Sequence, residues 1–149
     1  MLKEFLGQPA HPAYVHFPIA FFIFSSLFLA LHRFDGQSQR VNRLLKKIQL
    51  GTFNFESFSL LCLLTGFLGG LLAIFSGLAL VGGWKEIPIP HAPLGIGSEL
   101  CYFVALVIRW VFGPSLYAKP VKRLYYALHI LGVLLVGITG FEGGELHYG

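Results

Sequence analysis

Residues 57–82 read SFSLLCLLTGFLGGLLAIFSGLALVG, 26 positions without one charged side chain. A helix crosses the hydrocarbon of a bilayer with about 20 apolar residues. A run this long has neither the two-residue alternation of a strand nor the polar face of a soluble helix. The stretch therefore predicts a membrane-spanning helix. Working outward, the same reading applies to residues 13–32 before it and to residues 95–111 and 124–141 after it, with basic connections at 33–56 and 112–123. The expected fold is all-α: one transmembrane domain over residues 1–149, built as an integral membrane four-helix bundle.

Composition agrees. Hydrophobic residues make up 55% of the chain and charged residues 12%, against roughly 25% charged in a soluble domain. Such a surface would not dissolve, and the blocks are too long for barrel strands. A net charge of +4 in this setting marks the side of the membrane on which the loops lie, so nucleic acid is excluded as a partner. Cys62 and Cys101 fall inside apolar runs without a CxxC or CxxCH neighbour and read as small buried hydrophobes. The first apolar block follows Pro9, Pro12 and Pro18 and lacks a small-x-small site after it, so it is expected to remain as a helix. Pro18 is expected in or near its first turn.

Orientation follows from Lys and Arg. Arg33, Arg40, Arg43, Lys46 and Lys47 fall in the first connection, and Arg109, Lys119, Lys122 and Arg123 in or beside the third. The positive-inside rule puts these in the cytoplasm and both termini on the periplasmic, outer side of a bacterial inner membrane. The segment 41–55 mixes basic and apolar residues, which predicts a stretch lying along the inner headgroups, with Phe53, Phe55 and Phe58 as anchors. Glycines concentrate in the second span (Gly66, Gly69, Gly70, Gly77, Gly82, Gly83) and the fourth (Gly132, Gly137, Gly140, Gly143, Gly144). They predict close helix packing or room for a flat cofactor.

Six histidines are many for so apolar a chain, and His11, His16, His91 and His147 fall at the outer ends of spans. At 1.5 Å per residue, His16 lies about 24 Å from His32 and His91 about 27 Å from Arg109, so the two share one depth. The helical stripe from His91 collects Gly95, Ser98, Tyr102, Ala105 and Arg109, a small and polar face that belongs inside a bundle. Two imidazoles at one depth on different helices can hold a haem iron axially. His16 and His91 are therefore the candidate axial ligands of a haem b, with Tyr14 and Lys85 placed to receive its propionates. His129 faces inward by the same test but lies in the cytoplasmic half, and with His11 it is a weaker candidate. His16 and His32 differ by about 160° around their helix and cannot share one axis. Against the haem stands the plainer role of such histidines as interhelical hydrogen-bonding groups. A second outer constellation, Glu142 and Glu145 with His147, His11 and His91, offers N and O ligands to a divalent metal, without an HxxxH or HExxH spacing to support it. No acid/base pair, phosphate loop or nucleophile elbow is present in the sequence.

The opening His11-Pro12-Ala13-Tyr14-Val15-His16-Phe17-Pro18-Ile19-Ala20, Ser76-Gly77-Leu78 late in the second span, the isolated His91, and the ending Gly143-Gly144-Glu145-Leu146 together resemble the domain of unknown function 2231 family. The resemblance covers nearly the whole chain and implies four membrane helices. It marks His11, His16, His91, Gly144 and Glu145 as the positions to carry over. Two departures stand out: Leu78 leads to Gly82, Gly83 and Trp84 where the family has an aspartate and tryptophan, and Gly95 replaces an asparagine. Some relatives are joined to Rieske iron–sulfur domains, which implies electron transfer by analogy. The leading expectation is a b-type cytochrome-like, haem-binding subunit of a respiratory or other redox complex, without catalysis of its own. Its partners would be the lipid bilayer, membrane or periplasmic redox subunits, and quinone. The alternatives are a cofactor-free accessory subunit and a transporter or metal-handling protein.

Overall fold

A computed structural model describes residues 10–34, 43, 54–81 and 91–148, with side chains described at 14–34, 43, 54–79 and 91–144. The described residues form four long helices and no strand: α1 (Ala10–Phe34), α2 (Phe55–Val81), α3 (His91–Phe112) and α4 (Lys122–Tyr148), with a 3-10 helix, Gly113–Ala118, between the last two. All four are long and apolar enough to cross a membrane. The predicted amphipathic segment 41–55, Phe53 included, lies almost entirely outside the described residues.

Local chemistry sets the helix ends. Asn54 precedes α2, and its Oδ1 accepts the Ser57 N–H at 3.0 Å, satisfying a donor that the first turn leaves open. α3 starts at His91, four residues before the predicted start at Gly95. Gly113 stops it at φ +52°, a left-handed position that only glycine takes without strain, and Pro114 follows. Much of the expected third connection is thus the 3-10 helix, which buries Leu116 completely. Pro18 lies inside α1 rather than in its first turn. Its ring rests against Gly69, whose missing side chain leaves the clearance.

The helices are inside-out compared with those of a soluble protein. Leu61, Leu64, Leu68, Leu72 and Phe75 form an exposed stripe down α2, and Ile130, Leu134, Ile138 and Phe141 form another down α4. Large apolar side chains in that position suit lipid. The interior carries Ser25, Ser59, Ser76, Ser98, Thr139, His129 and Glu99, all buried, beside an apolar cluster that includes Phe22, Leu29, Leu63, Ala105 and Val136. α1 packs most extensively on α2 and α3 on α4, so the bundle is two helical hairpins laid together. Each hairpin has its own polar clasp. Ser25 Oγ donates to the Ser59 carbonyl and Ser59 Oγ to the Ser25 carbonyl, both at 2.8 Å. Across the other pair, Ser98 Oγ donates to the Gly132 carbonyl at 3.2 Å.

Candidate functional site: a polar cluster between the hairpins

Tyr102 stands eleven residues from the start of α3 and ten from its end, about 15 Å from either boundary. Its ring is clamped. Phe22 of α1 stacks on it with centroids 3.8 Å apart, and Gly132 of α4 lies against it so closely that a Cβ there would stand 2.7 Å from Cε2 and Cζ. The phenol is thereby held at the centre of the bundle with 0% exposure. His129, one turn along α4, meets the ring edge-on at 5.7 Å and is 2% exposed. Its Nδ1 lies 3.0 Å from the Tyr125 carbonyl oxygen. A carbonyl only accepts, so Nδ1 carries the hydrogen and Nε2 presents its lone pair to the interior.

Glu99, one turn along α3 from Tyr102, is 7% exposed. Its carboxyl group lies on the α2 backbone at Gly70, in space that a Cβ would fill. Ser26 of α1 completes the group, its hydroxyl beside that of Tyr102. Ser26 Oγ, Glu99 Oε1, Tyr102 OH and His129 Nε2 are all buried without a hydrogen-bond partner among the described residues. Unsatisfied polar atoms are uncommon in folded interiors, and an ionisable group within a membrane marks function by default. Four such atoms, the Tyr102 hydroxyl among them, form the most unusual chemistry of the described chain.

The cluster continues toward the end bearing the basic connections. The rings of Tyr125 and His129 are 4.6 Å apart. Beyond them, Arg109 Nε donates to Glu56 Oε1 at 2.6 Å, Nη2 pairs with the same oxygen, and Tyr117 OH lies 3.5 Å from it. His32 packs on Tyr117 with ring centroids 4.8 Å apart. Hydroxyl, imidazole and carboxyl groups thus succeed one another from Glu56 at the loop end to Glu99 beyond midspan.

Residues 7–149 match the sequence family described as a predicted membrane protein, DUF2231. The chain belongs to this family. No curated protein and no solved structure matches it.

In this DUF2231 bundle the histidines singled out by sequence take separate places. His91 is half-buried between α3 and α4, its Nδ1 3.0 Å from the Thr139 carbonyl oxygen, and its ring occupies the clearance at Gly143. His16 is exposed. The buried stripe of α1 is Pro18, Phe22, Ser25 and Leu29, and His16 lies about 160° from Pro18 around the helix. The expected facing of His16 and His91 across the interior is therefore not what the packing produces. Helical period gave the angle between His16 and His32 but not the phase, and the phase turns His32 toward the bundle and His16 away from it.

The glycines act as close-packing sites: Gly66 receives Phe22, Gly70 receives Glu99, Gly132 receives Tyr102 and Gly143 receives His91. Tyr14 is half-exposed near the start of α1, and Glu142 half-buried near the end of α4. Lys85, and the side chains of His11, Glu145 and His147, lie outside the described residues. No group of three or more His, Cys, Asp or Glu able to hold a metal occurs among the described residues. Sequence reasoning passed over Glu99, although it is the one acidic residue of α3, near the middle of a span where a carboxyl group is expensive. Ser26, Tyr117 and Tyr125 carried no comparable signal.

Proposed function

We propose that the protein is a proton-handling membrane subunit, whose interior accepts protons from the side bearing the basic connections and delivers them to Glu99. The observation that supports this reading is the set of four buried atoms, the Tyr102 hydroxyl among them, without a hydrogen-bond partner among the described residues, two of them on the acid–base side chains Glu99 and His129. A bundle serving only as a scaffold gains nothing from leaving a carboxyl oxygen and an imidazole nitrogen unpaired at midspan. A proton relay needs groups that both release and accept. In this reading the path runs from Glu56, Arg109 and Tyr117 through Tyr125 and His129 to Tyr102 and Glu99. By the positive-inside rule the entrance faces the cytoplasm and the termini face the outside of a bacterial inner membrane. Redox subunits and quinone are its natural partners, since quinone reduction consumes protons.

The test is purified protein in vesicles of phosphatidylcholine and phosphatidylglycerol with a trapped pH indicator, under a valinomycin-set potassium potential. Proton uptake above that of protein-free vesicles, abolished by Glu99→Gln and strongly reduced by Tyr102→Phe, is the expected result. Uptake no faster than in empty vesicles overturns the reading and favours a cofactor-free accessory role.

A second reading keeps the redox expectation in narrower form. The His91 Nδ1–H is held by a backbone carbonyl, as in histidines that ligate a metal, so Nε2 is turned out as a ligand. A haem between His16 and His91 does not fit the packing, because His16 lies on the outward face of α1. Haem carriage would rest on His91 and on a second ligand from outside the described residues. A reduced-minus-oxidised spectrum decides it: an alpha band lost in His91→Ala supports haem, and no band in haem-replete cells removes it.

A further inference from the structure

We infer that the seam between α1 and α4 is a binding groove for an anionic phospholipid of the leaflet at the loop end, with its phosphate held between Arg33 and Arg123 and an acyl chain laid along the seam. The inference stands apart from the proton-handling reading and does not need it. Two contacts fix how the helices face. Ile19 of α1 rests on Gly140 of α4, and the Arg33 guanidinium lies near enough to the Tyr126 phenol of α4 to act on it electrostatically. The steps from 19 to 33 and from 140 to 126 are both 14 residues, about four turns, which returns each helix to the same face. One antiparallel register therefore joins both contacts and sets the row Ile19, Ser26, Arg33 against the row Gly140, Val133, Tyr126.

Three residues before each member of these rows, about 60° around the helix, runs a second row on the side away from the core. It holds Ile23 and Ala30 on α1 and Arg123, Ile130 and Gly137 on α4, all exposed. The two isoleucines wall the groove, while Ala30 and Gly137 leave it open: a Cβ at Gly137 would meet nothing within 4 Å. Gly137 stands about 16 Å along α4 from Tyr126, and half the hydrocarbon of a bilayer is about 15 Å, so the opening lies where a chain of that leaflet ends. At the mouth, Arg33 in the last turn of α1 and Arg123 in the first turn of α4 flank Tyr126 from two helices. Among the described residues the carboxyl group of that end, Glu56, is taken by Arg109, and Lys122 Nζ donates to the Tyr117 carbonyl at 3.0 Å. Guanidinium groups match phosphate oxygens in bidentate hydrogen bonds, and basic sites between membrane helices take anionic headgroups. A phospholipid supplies both the phosphate at the mouth and the chain at the depth of the groove.

The test is electron spin resonance on the full chain in phosphatidylcholine vesicles, with phosphatidylglycerol or phosphatidylcholine spin-labelled near the end of one chain. A motionally restricted component that favours phosphatidylglycerol by about fivefold for each arginine is expected, and the double variant Arg33→Gln with Arg123→Gln should abolish the preference. Arg43→Gln with Lys119→Gln removes the same charge from exposed positions at the same end and should leave it intact. Equal restriction of the two lipids overturns the site, as does a preference that survives in the arginine double variant. A preference lost equally in the control pair shows diffuse surface charge and overturns it too. Should the arginine variant fail to fold, Gly137→Leu fills the groove from its open side while keeping both arginines. Loss of the restricted component in that variant supports a lipid chain in the seam, and an unchanged spectrum overturns it.

Discussion

At position 99 a carboxyl group rests on the backbone of Gly70 with one oxygen unpartnered. A buried polar group left unsatisfied costs about 1–3 kcal/mol, so Glu99→Leu should raise stability while removing proton uptake. Denaturant unfolding in detergent micelles measures the first, and a variant less stable than the parent would show that Glu99 is held by a bond it should not have. The clamp on Tyr102 makes a second prediction. Gly132→Ala places a methyl 2.7 Å from a ring backed by Phe22, and overpacking of that kind destabilises by roughly 1–3 kcal/mol. Gly137, with nothing within 4 Å of its would-be Cβ, should accept alanine without loss. Thermal unfolding of the two variants side by side separates a packing glycine from one that merely lies on the same helix.

Among the elements, the joint between α2 and α3 is the strongest polar tie described. The Arg109 and Glu56 side chains are only 11% and 18% exposed, and removing one partner strands the other in an apolar setting. Arg109→Ala should therefore destabilise by roughly 3 kcal/mol, while the double change Glu56→Gln with Arg109→Met recovers most of it. A double-mutant cycle in detergent checks this, and additive losses would show the pair to be solvated and weak. Sequence placed Arg109 among the basic residues that mark one side of the membrane. Its partnership with Glu56, 53 positions away, was not legible, because charge pairing across helices depends on which faces meet. The start of α2 was closer to legible: Asn54 is a favoured N-cap residue, yet apolar patterning alone put the boundary near Ser57.

For the whole molecule, the arrangement of the basic residues predicts a single orientation. Lys119 is exposed in the short connection between the 3-10 helix and α4. In intact cells a Lys119→Cys variant, in a chain free of its two native cysteines, should resist an impermeant maleimide and react only after the membrane is opened. Labelling of intact cells would reverse the orientation and with it the direction assigned to the relay. The inside-out distribution of side chains, with leucine and phenylalanine outward and serine, histidine and glutamate inward, follows from the choice of solvent. Lipid leaves helices no hydrophobic reason to associate, so close contact at glycine and a few interior hydrogen bonds take over that task.

By itself the sequence determined four membrane-spanning helices, the polar stripe of α3 and the inward facing of His129, because uninterrupted apolar length and helical period are local properties that need no partner. Only the tertiary structure decided the phase of α1, which turned His16 outward, the filling of the glycine clearances by Phe22, Tyr102, Glu99 and His91, and the meeting of Ser26, Glu99, Tyr102 and His129 from three helices. Those depend on how one helix is rotated against another. That rotation is fixed by contacts between residues far apart in the chain, of which no single segment carries a record.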